Sequence, residues 1–165
     1  MITQHLRSFY ALSVALTGFT ETELLGTGVG DEYYDELIRC AGYTNVHDLL
    51  EKSEGLLGGN PQTHEAESAI RKELWGDERF GPMVRGIVKM WFLGNWAPGR
   101  EEWPLWLRKY GDSIPSPVAS SSPHVVSARA YKEGLVWHAL GTHSPGANPP
   151  GFGSWSLPPV TETNK

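Results

Sequence analysis

Val84-Arg85-Gly86-Ile87-Val88-Lys89-Met90-Trp91-Phe92-Leu93-Gly94-Asn95-Trp96 is the stretch whose reading decides the fold. Val84, Ile87, Val88, Trp91 and Phe92 stand at i, i+3, i+4, i+7 and i+8, the spacing that gathers side chains on one face of an α-helix, while Arg85 and Lys89 share another. Trp91 and Phe92 each bring roughly 150–250 Å² of apolar surface to that face. Gly94 offers a stop, because glycine tolerates the left-handed conformation that follows a last helical turn. The pattern predicts a central helix against which shorter helices pack.

Outward on the N-terminal side, Leu6, Phe9, Ser13 and Leu16, flanked by Tyr10, Ala11 and Val14, predict a first helix closed by Gly18. A short second helix passes through Leu24 and Leu25. Gly26-Thr27-Gly28-Val29-Gly30 has the look of a nucleotide loop, but it follows no hydrophobic strand and lacks the third glycine at the required distance. It is read as a connection between helices. Asp31 is the expected cap of a helix with Tyr34, Leu37, Ile38 and Ala41 inward and Gly42 at its end, and Asn45 that of a short segment with Val46, Leu49 and Leu50. After a glycine-rich loop, Asn60 or Thr63 caps a helix carrying Ala66, Ala69, Ile70 and Leu74, with Glu67 and Arg71 paired at i, i+4 on its outer face.

On the C-terminal side, residues 96–123 read as a Pro/Ser-rich loop in which Trp103-Pro104-Leu105-Trp106-Leu107-Arg108-Lys109-Tyr110 is either a turn of helix or a docking strip. Ala130, Leu135, Val136, Trp137 and Leu140 predict a last helix from about Ser127 to Leu140. Beyond it nothing periodic remains. The expected fold is all-α, a compact bundle of about five to six short helices over residues 1–140, followed by a long irregular Pro/Gly/aromatic tail over 141–165. Its predicted core contains Phe9, Leu16, Val84, Ile87, Val88, Trp91, Phe92 and Leu135.

Composition narrows the function. A chain of 165 residues suits one domain, and domains of this size bury roughly 70% of the surface exposed by the unfolded chain. The net charge of −5 comes without a basic cluster, which argues against binding nucleic acid through its phosphates. Seven tryptophans are more indoles than a small helical core encloses comfortably, and aromatic residues are enriched at interfaces. Trp96, Trp103 and Trp106 are therefore expected to face a partner, as are His143, Pro145, Pro149, Phe152 and Trp155 in the tail. Cys40, the single cysteine, excludes an internal disulfide and any cysteine-based metal cage, and reads as a small buried hydrophobe. No apolar run approaches the roughly 18 residues of a membrane span. The apolar Phe9 to Phe19 segment after Arg7 mimics a secretory signal but lacks a small-residue cleavage pattern and a twin arginine. It is read as the first helix, which places the protein in the cytoplasm, with the periplasm as the alternative if it is exported with a partner.

Chemistry is hard to find. Among the histidines, His138 and His143 stand five apart across Gly141, a spacing that does not put two ligands on one helix face. Ser116, Ser120, Ser121 and Ser122 sit in a Pro/Ser segment rather than on a strand-to-helix elbow. Asp31 with Glu32 and Glu101 with Glu102 are adjacent, so each pair diverges on any regular element. No catalytic, cofactor-binding or metal-ligating residue is assigned, and the profile fits an accessory subunit.

Three stretches give that profile a family. Phe9-Tyr10-Ala11-Leu12-Ser13-Val14-Ala15-Leu16-Thr17-Gly18, Ile87-Val88-Lys89-Met90-Trp91-Phe92-Leu93-Gly94, and Ala130-Tyr131-Lys132-Glu133-Gly134-Leu135-Val136-Trp137 with His143-Ser144-Pro145-Gly146-Ala147-Asn148-Pro149-Pro150-Gly151-Phe152-Gly153-Ser154-Trp155 follow in order. The chain resembles the small, gamma-type, non-catalytic subunit of bacterial FAD-dependent sugar and polyol dehydrogenases, the sorbitol, fructose and glucose dehydrogenase complexes. The resemblance implies a partner of the glucose-methanol-choline (GMC) oxidoreductase type that carries the FAD and performs hydride transfer, with a cytochrome subunit as a possible third member. It implies no cofactor in this chain, and a role in folding, stability and export of the large subunit. The 96–123 segment is longer than the corresponding family loop. Two other readings stay open: a homo-oligomeric helical structural protein, and a self-contained small hydrolase in which His138 or His143 meets a carboxylate.

Overall fold

The computed structural model describes residues 4–112, 114 and 117–145, with Val118 known by its backbone only. Over the described residues the chain is all-α, apart from one two-residue antiparallel ladder. α1 (Gln4–Thr17) buries Leu6, Phe9, Leu12, Ser13 and Val14 and ends at Gly18. α2 (Glu21–Thr27) begins at a complete capping box: the Thr20 side chain accepts from the Glu23 amide, and the Glu23 carboxylate accepts from the Thr20 amide. α3 (Gly30–Ala41) and α4 (Tyr43–Leu57) meet at Gly42, which is extended at φ +81° and breaks what would be one helix.

Neither expected cap holds in α3 or α4. Asp31 lies inside the first turn of α3, after a Val29 cap that makes no side-chain bond. Asn45 lies inside α4, buried, donating to the carbonyls of Ala41 and Tyr110 at 2.8 Å each. Its amide thus ties α4 to a distant element, a use that local sequence does not announce. Thr63 does cap α5 (His64–Ile70), and Glu67 accepts from Arg71 at 2.8 Å. A π-helical turn, Arg71–Trp75, prolongs α5 and leaves Leu74 buried with Trp75 partly exposed.

α6 (Gly81–Leu93) is the centre of the molecule, in contact with α1, α3, the π-turn and the two short helices Ala128–Lys132 and Leu135–Ala139. Its buried arc runs from Gly86 and Met90 through Met83 and Ile87 to Val84 and Trp91. Val88 and Phe92, expected in the core, are only half-buried because the arc is rotated toward the two methionines. Phe92 instead meets Phe19 edge-on at 6.1 Å. Leu16 is also half-buried, since it lines a groove with Ala15, Ile70, Arg71 and Trp75. Phe9, Val84, Ile87, Trp91 and Leu135 are core residues as expected. Trp91 is enclosed by rings: Phe9 at 6.3 Å, Tyr10 at 6.1 Å and Tyr33 edge-on at 5.0 Å. Its indole N–H donates to Ser13 Oγ at 2.9 Å.

The segment expected to be a loop is folded. β1 (Asn95–Trp96) follows α6, then α7 (Glu102–Tyr110), α8 (Pro117–Ser121) and β2 (His124–Val125), which pairs back onto β1 with Trp96 opposite His124. Trp103, Trp106 and Tyr110 stand at i, i+3 and i+7 on α7, so their rings share a face. The last expected helix is divided into α9 (Ala128–Lys132) and α10 (Leu135–Ala139), because Gly134 adopts ψ 127°. Among the described residues, no helix is long and apolar enough to cross a membrane.

Candidate functional site

The three tryptophans expected to face a partner face inward. Trp96, Trp103 and Trp106 are at most 3% exposed. Trp96 and Trp103 meet edge-on at 5.1 Å, Trp103 and Trp106 stack at 4.5 Å, and Tyr110 continues the column at 5.7 Å from Trp106. Every indole nitrogen in the column has an acceptor: Trp96 donates to the Ser120 carbonyl at 2.7 Å, Trp103 to Ser120 Oγ at 3.4 Å and Trp106 to the Arg79 carbonyl at 2.7 Å. This corrects the partner-facing assignment, since an indole with both its face and its N–H satisfied internally has nothing left to offer a second protein. Gly86 makes the packing possible, because a Cβ there would stand 2.5 Å from the Trp96 ring.

The remaining surface candidates cluster where the described chain ends. His143 is half-buried, and Pro145 is exposed. Pro149, Phe152 and Trp155 lie outside the described residues. His143 helps line a groove of about 360 Å³ between α2 and α9–α10, together with Phe19, Glu23, Leu135, Trp137 and His138. Glu23 is not free to act as an acid or base there, since both Thr20 donors hold its carboxylate at 2.7 Å. Those hydrogen bonds from Thr20 are also what hold its carboxyl below the usual range. Among the described residues, neither His138 nor His143 is hydrogen-bonded to a carboxylate; His143 Nδ1 stands 3.2 Å from the Ser144 carbonyl. The arrangement is a mixed apolar and polar trough suited to contact rather than to proton transfer.

A second polar site escaped the sequence reading altogether. Glu36 and Cys40 occupy i and i+4 of α3, and β2 brings His124 against them from 84 positions farther along than Cys40. Glu36 Oε1 stands 2.7 Å from His124 Nε2 and accepts from Cys40 Sγ at 3.1 Å and from Arg39 Nη2 at 2.5 Å. Arg39 Nη2 is also 2.9 Å from His124 Nε2. On its other side the imidazole makes a 2.7 Å contact from Nδ1 to the Ser122 carbonyl, which requires a hydrogen on Nδ1. Cys40 is fully buried, the Glu36 side chain 11% exposed and that of His124 30%. Burial alone would raise the Glu36 pKa, but the hydrogen bonds from Arg39, Cys40 and His124 outweigh it and hold the carboxyl below its usual range. Burial, reinforced by Glu36, pushes the Cys40 thiol up. In the sequence only the Glu36…Cys40 spacing hints at this site, because His124 is brought in from a distant strand.

A third cluster, His47, Asp48 and Glu51 on α4, is more open, and His5 of α1 stands 5.0 Å from His47, ring to ring. Here Asp48 is already committed to Arg79 at 2.6 Å. Arg79 also donates to Asn45 Oδ1 and lies over the Phe80 and Tyr110 rings, so this corner latches α4 to α7.

Compared with known proteins, the chain matches no family model, no curated protein and no solved structure.

Proposed function

We propose that this chain is a non-catalytic accessory subunit that binds and stabilises a large FAD-dependent sugar or polyol dehydrogenase subunit of the GMC type and assists its export. The observation that supports this reading is spatial. The described residues of the three stretches that carry the family resemblance, up to about 120 positions apart in the sequence, adjoin one another. Ser13 of the first accepts the Trp91 N–H of the second, and Gly94 of the second lies against the Ala130 backbone of the third. Residues that act together in one packing unit constrain one another, so their joint occurrence weighs more than three separate short motifs. In this reading FAD and hydride transfer belong to the large subunit, and a cytochrome subunit is a further partner. His143, Pro145, Pro149, Phe152 and Trp155 form the docking set, with the two large aromatics as anchors of the kind that dominate interface energies. The complex works in the cytoplasm, or in the periplasm if the two subunits leave together.

The test is a pull-down of the tagged full chain from its native host, with the bound material scanned for flavin absorbance. A yellow, roughly stoichiometric larger protein that oxidises sugars or polyols with an artificial acceptor is the expected result. A colourless chain, alone or as a homo-oligomer, overturns the proposal. Deleting residues 146–165 abolishes co-purification and leaves the far-ultraviolet helical signal intact; a truncated chain that still captures its partner at full strength would remove the tail from the interface.

A further inference from the structure

We infer that Glu36, Cys40 and His124 form a binding site for a zinc-type divalent transition metal, which fastens β2 to α3 independently of any partner subunit. The three side chains offer one carboxylate oxygen, one sulfur and one imidazole nitrogen, with all three donor atoms within 4.8 Å of one another. That donor set is the mixed hard and soft combination that zinc accepts, and three protein ligands leave one position open.

The arrangement around His124 carries the argument. With Nδ1–H donated to the Ser122 carbonyl, the ring is held with Nε2 aimed at Glu36 Oε1, 2.7 Å away. A ring nitrogen and a carboxylate oxygen at that distance share one positive centre, either a proton on Nε2 or a cation beside both. Arg39 Nη2 stands beside both, 2.9 Å from the nitrogen and 2.5 Å from the oxygen. Nε2 has one position for a proton or a cation, so it cannot both accept from Arg39 and donate to Glu36. Metal-ligating histidines show this same tethering of the other ring nitrogen to a carbonyl, which fixes the tautomer and aims the lone pair.

Little movement is needed. Around a tetrahedral zinc, with bonds of about 2.0–2.3 Å, ligand atoms lie roughly 3.3–3.6 Å apart. The present separations are 2.7 Å from oxygen to nitrogen and 3.1 Å from oxygen to sulfur, so the cluster opens by about half an ångström. The Arg39 side chain is 45% exposed and can swing into solvent, which leaves the space beside Glu36 and His124 free for the cation. Binding is a ligand exchange without redox change: the Cys40 thiol proton and any proton on His124 Nε2 pass to solvent, sulfur binds as thiolate, nitrogen as the neutral ring, and the guanidinium leaves.

The experiment is a Co²⁺ titration of the full-length chain, freed of metal by a chelator, near pH 7.5. The expected result is one equivalent of Co²⁺ producing a sulfur-to-cobalt charge-transfer band in the near ultraviolet with tetrahedral d–d bands, all abolished by one equivalent of Zn²⁺. Cys40→Ser loses the charge-transfer band, His124→Gln weakens Co²⁺ binding by tenfold or more, and Arg39→Gln tightens it. Circular dichroism of each variant checks that the fold is kept, and His124→Gln and Arg39→Gln alter partly exposed side chains, so they keep the test informative if Cys40→Ser unfolds. No sulfur-dependent band, a band undiminished in His124→Gln, or Co²⁺ bound only through the His47, Asp48 and Glu51 cluster overturns the assignment.

Discussion

Ser13 is a small residue with a large responsibility. Its hydroxyl donates to the Phe9 carbonyl at 2.7 Å and accepts the indole N–H of Trp91 at 2.9 Å, in a fully buried position. Ser13→Ala removes the acceptor and strands a buried donor, which costs about 1–3 kcal/mol. Urea unfolding checks this, and a second background sharpens it. With Trp91→Phe there is no N–H to strand, so Ser13→Ala then costs much less; an equal loss in both backgrounds would mean that the bond adds nothing. The same logic explains why the seven tryptophans misled a reading from composition. Trp91, Trp96, Trp103 and Trp106 each find an internal acceptor, two of them through Ser120. Composition counts indoles but is silent about the carbonyls and hydroxyls waiting for them.

At the scale of elements, α6 was legible because its apolar positions recur with the helical period and its stop is a glycine. Its rotation was not, since Gly86 reads as neutral in a hydrophobicity pattern, yet it faces the Trp96 ring. α7 was half legible: Trp103, Trp106 and Tyr110 have helical spacing, but Pro104 and the surrounding Pro/Ser composition masked it. The Glu36, Cys40 and His124 cluster had no local signature, because the ladder that delivers His124 is two residues long on each strand. Where helices cross closely, glycine decides. Gly94 closes α6 at φ +69°, and a Cβ there would fall 2.5 Å from the Ala130 carbonyl in the middle of α9. Gly58 closes α4 at φ +57° with nothing within 4 Å. Gly58→Ala therefore bears only backbone strain, of order 1 kcal/mol, and Gly94→Ala bears that plus the steric displacement of α9. Thermal unfolding of the two variants measures the difference, and equal losses would show that the α6–α9 crossing yields freely.

Over the whole molecule, one continuous apolar cluster joins Leu6 near the start of α1 to Leu135 in α10, passing through the aromatic column of α7. The β1–β2 ladder gives this topology a further property. The chain departs at Trp96, makes an excursion through α7 and α8, and returns at His124 opposite the point it left; the Val126 amide then donates to the Gly94 carbonyl at 2.9 Å. Arg100 is exposed just beyond the departure point. A single tryptic cut there severs the covalent path but neither the ladder nor the tryptophan column, both of which hold the C-terminal fragment to the N-terminal one. The nicked protein should elute as one species from a sizing column and separate into two peptides only in denaturant. The two halves, made as separate polypeptides, should also find each other. This would make the protein a natural split reporter, with its seam at a turn and its adhesive in the indoles.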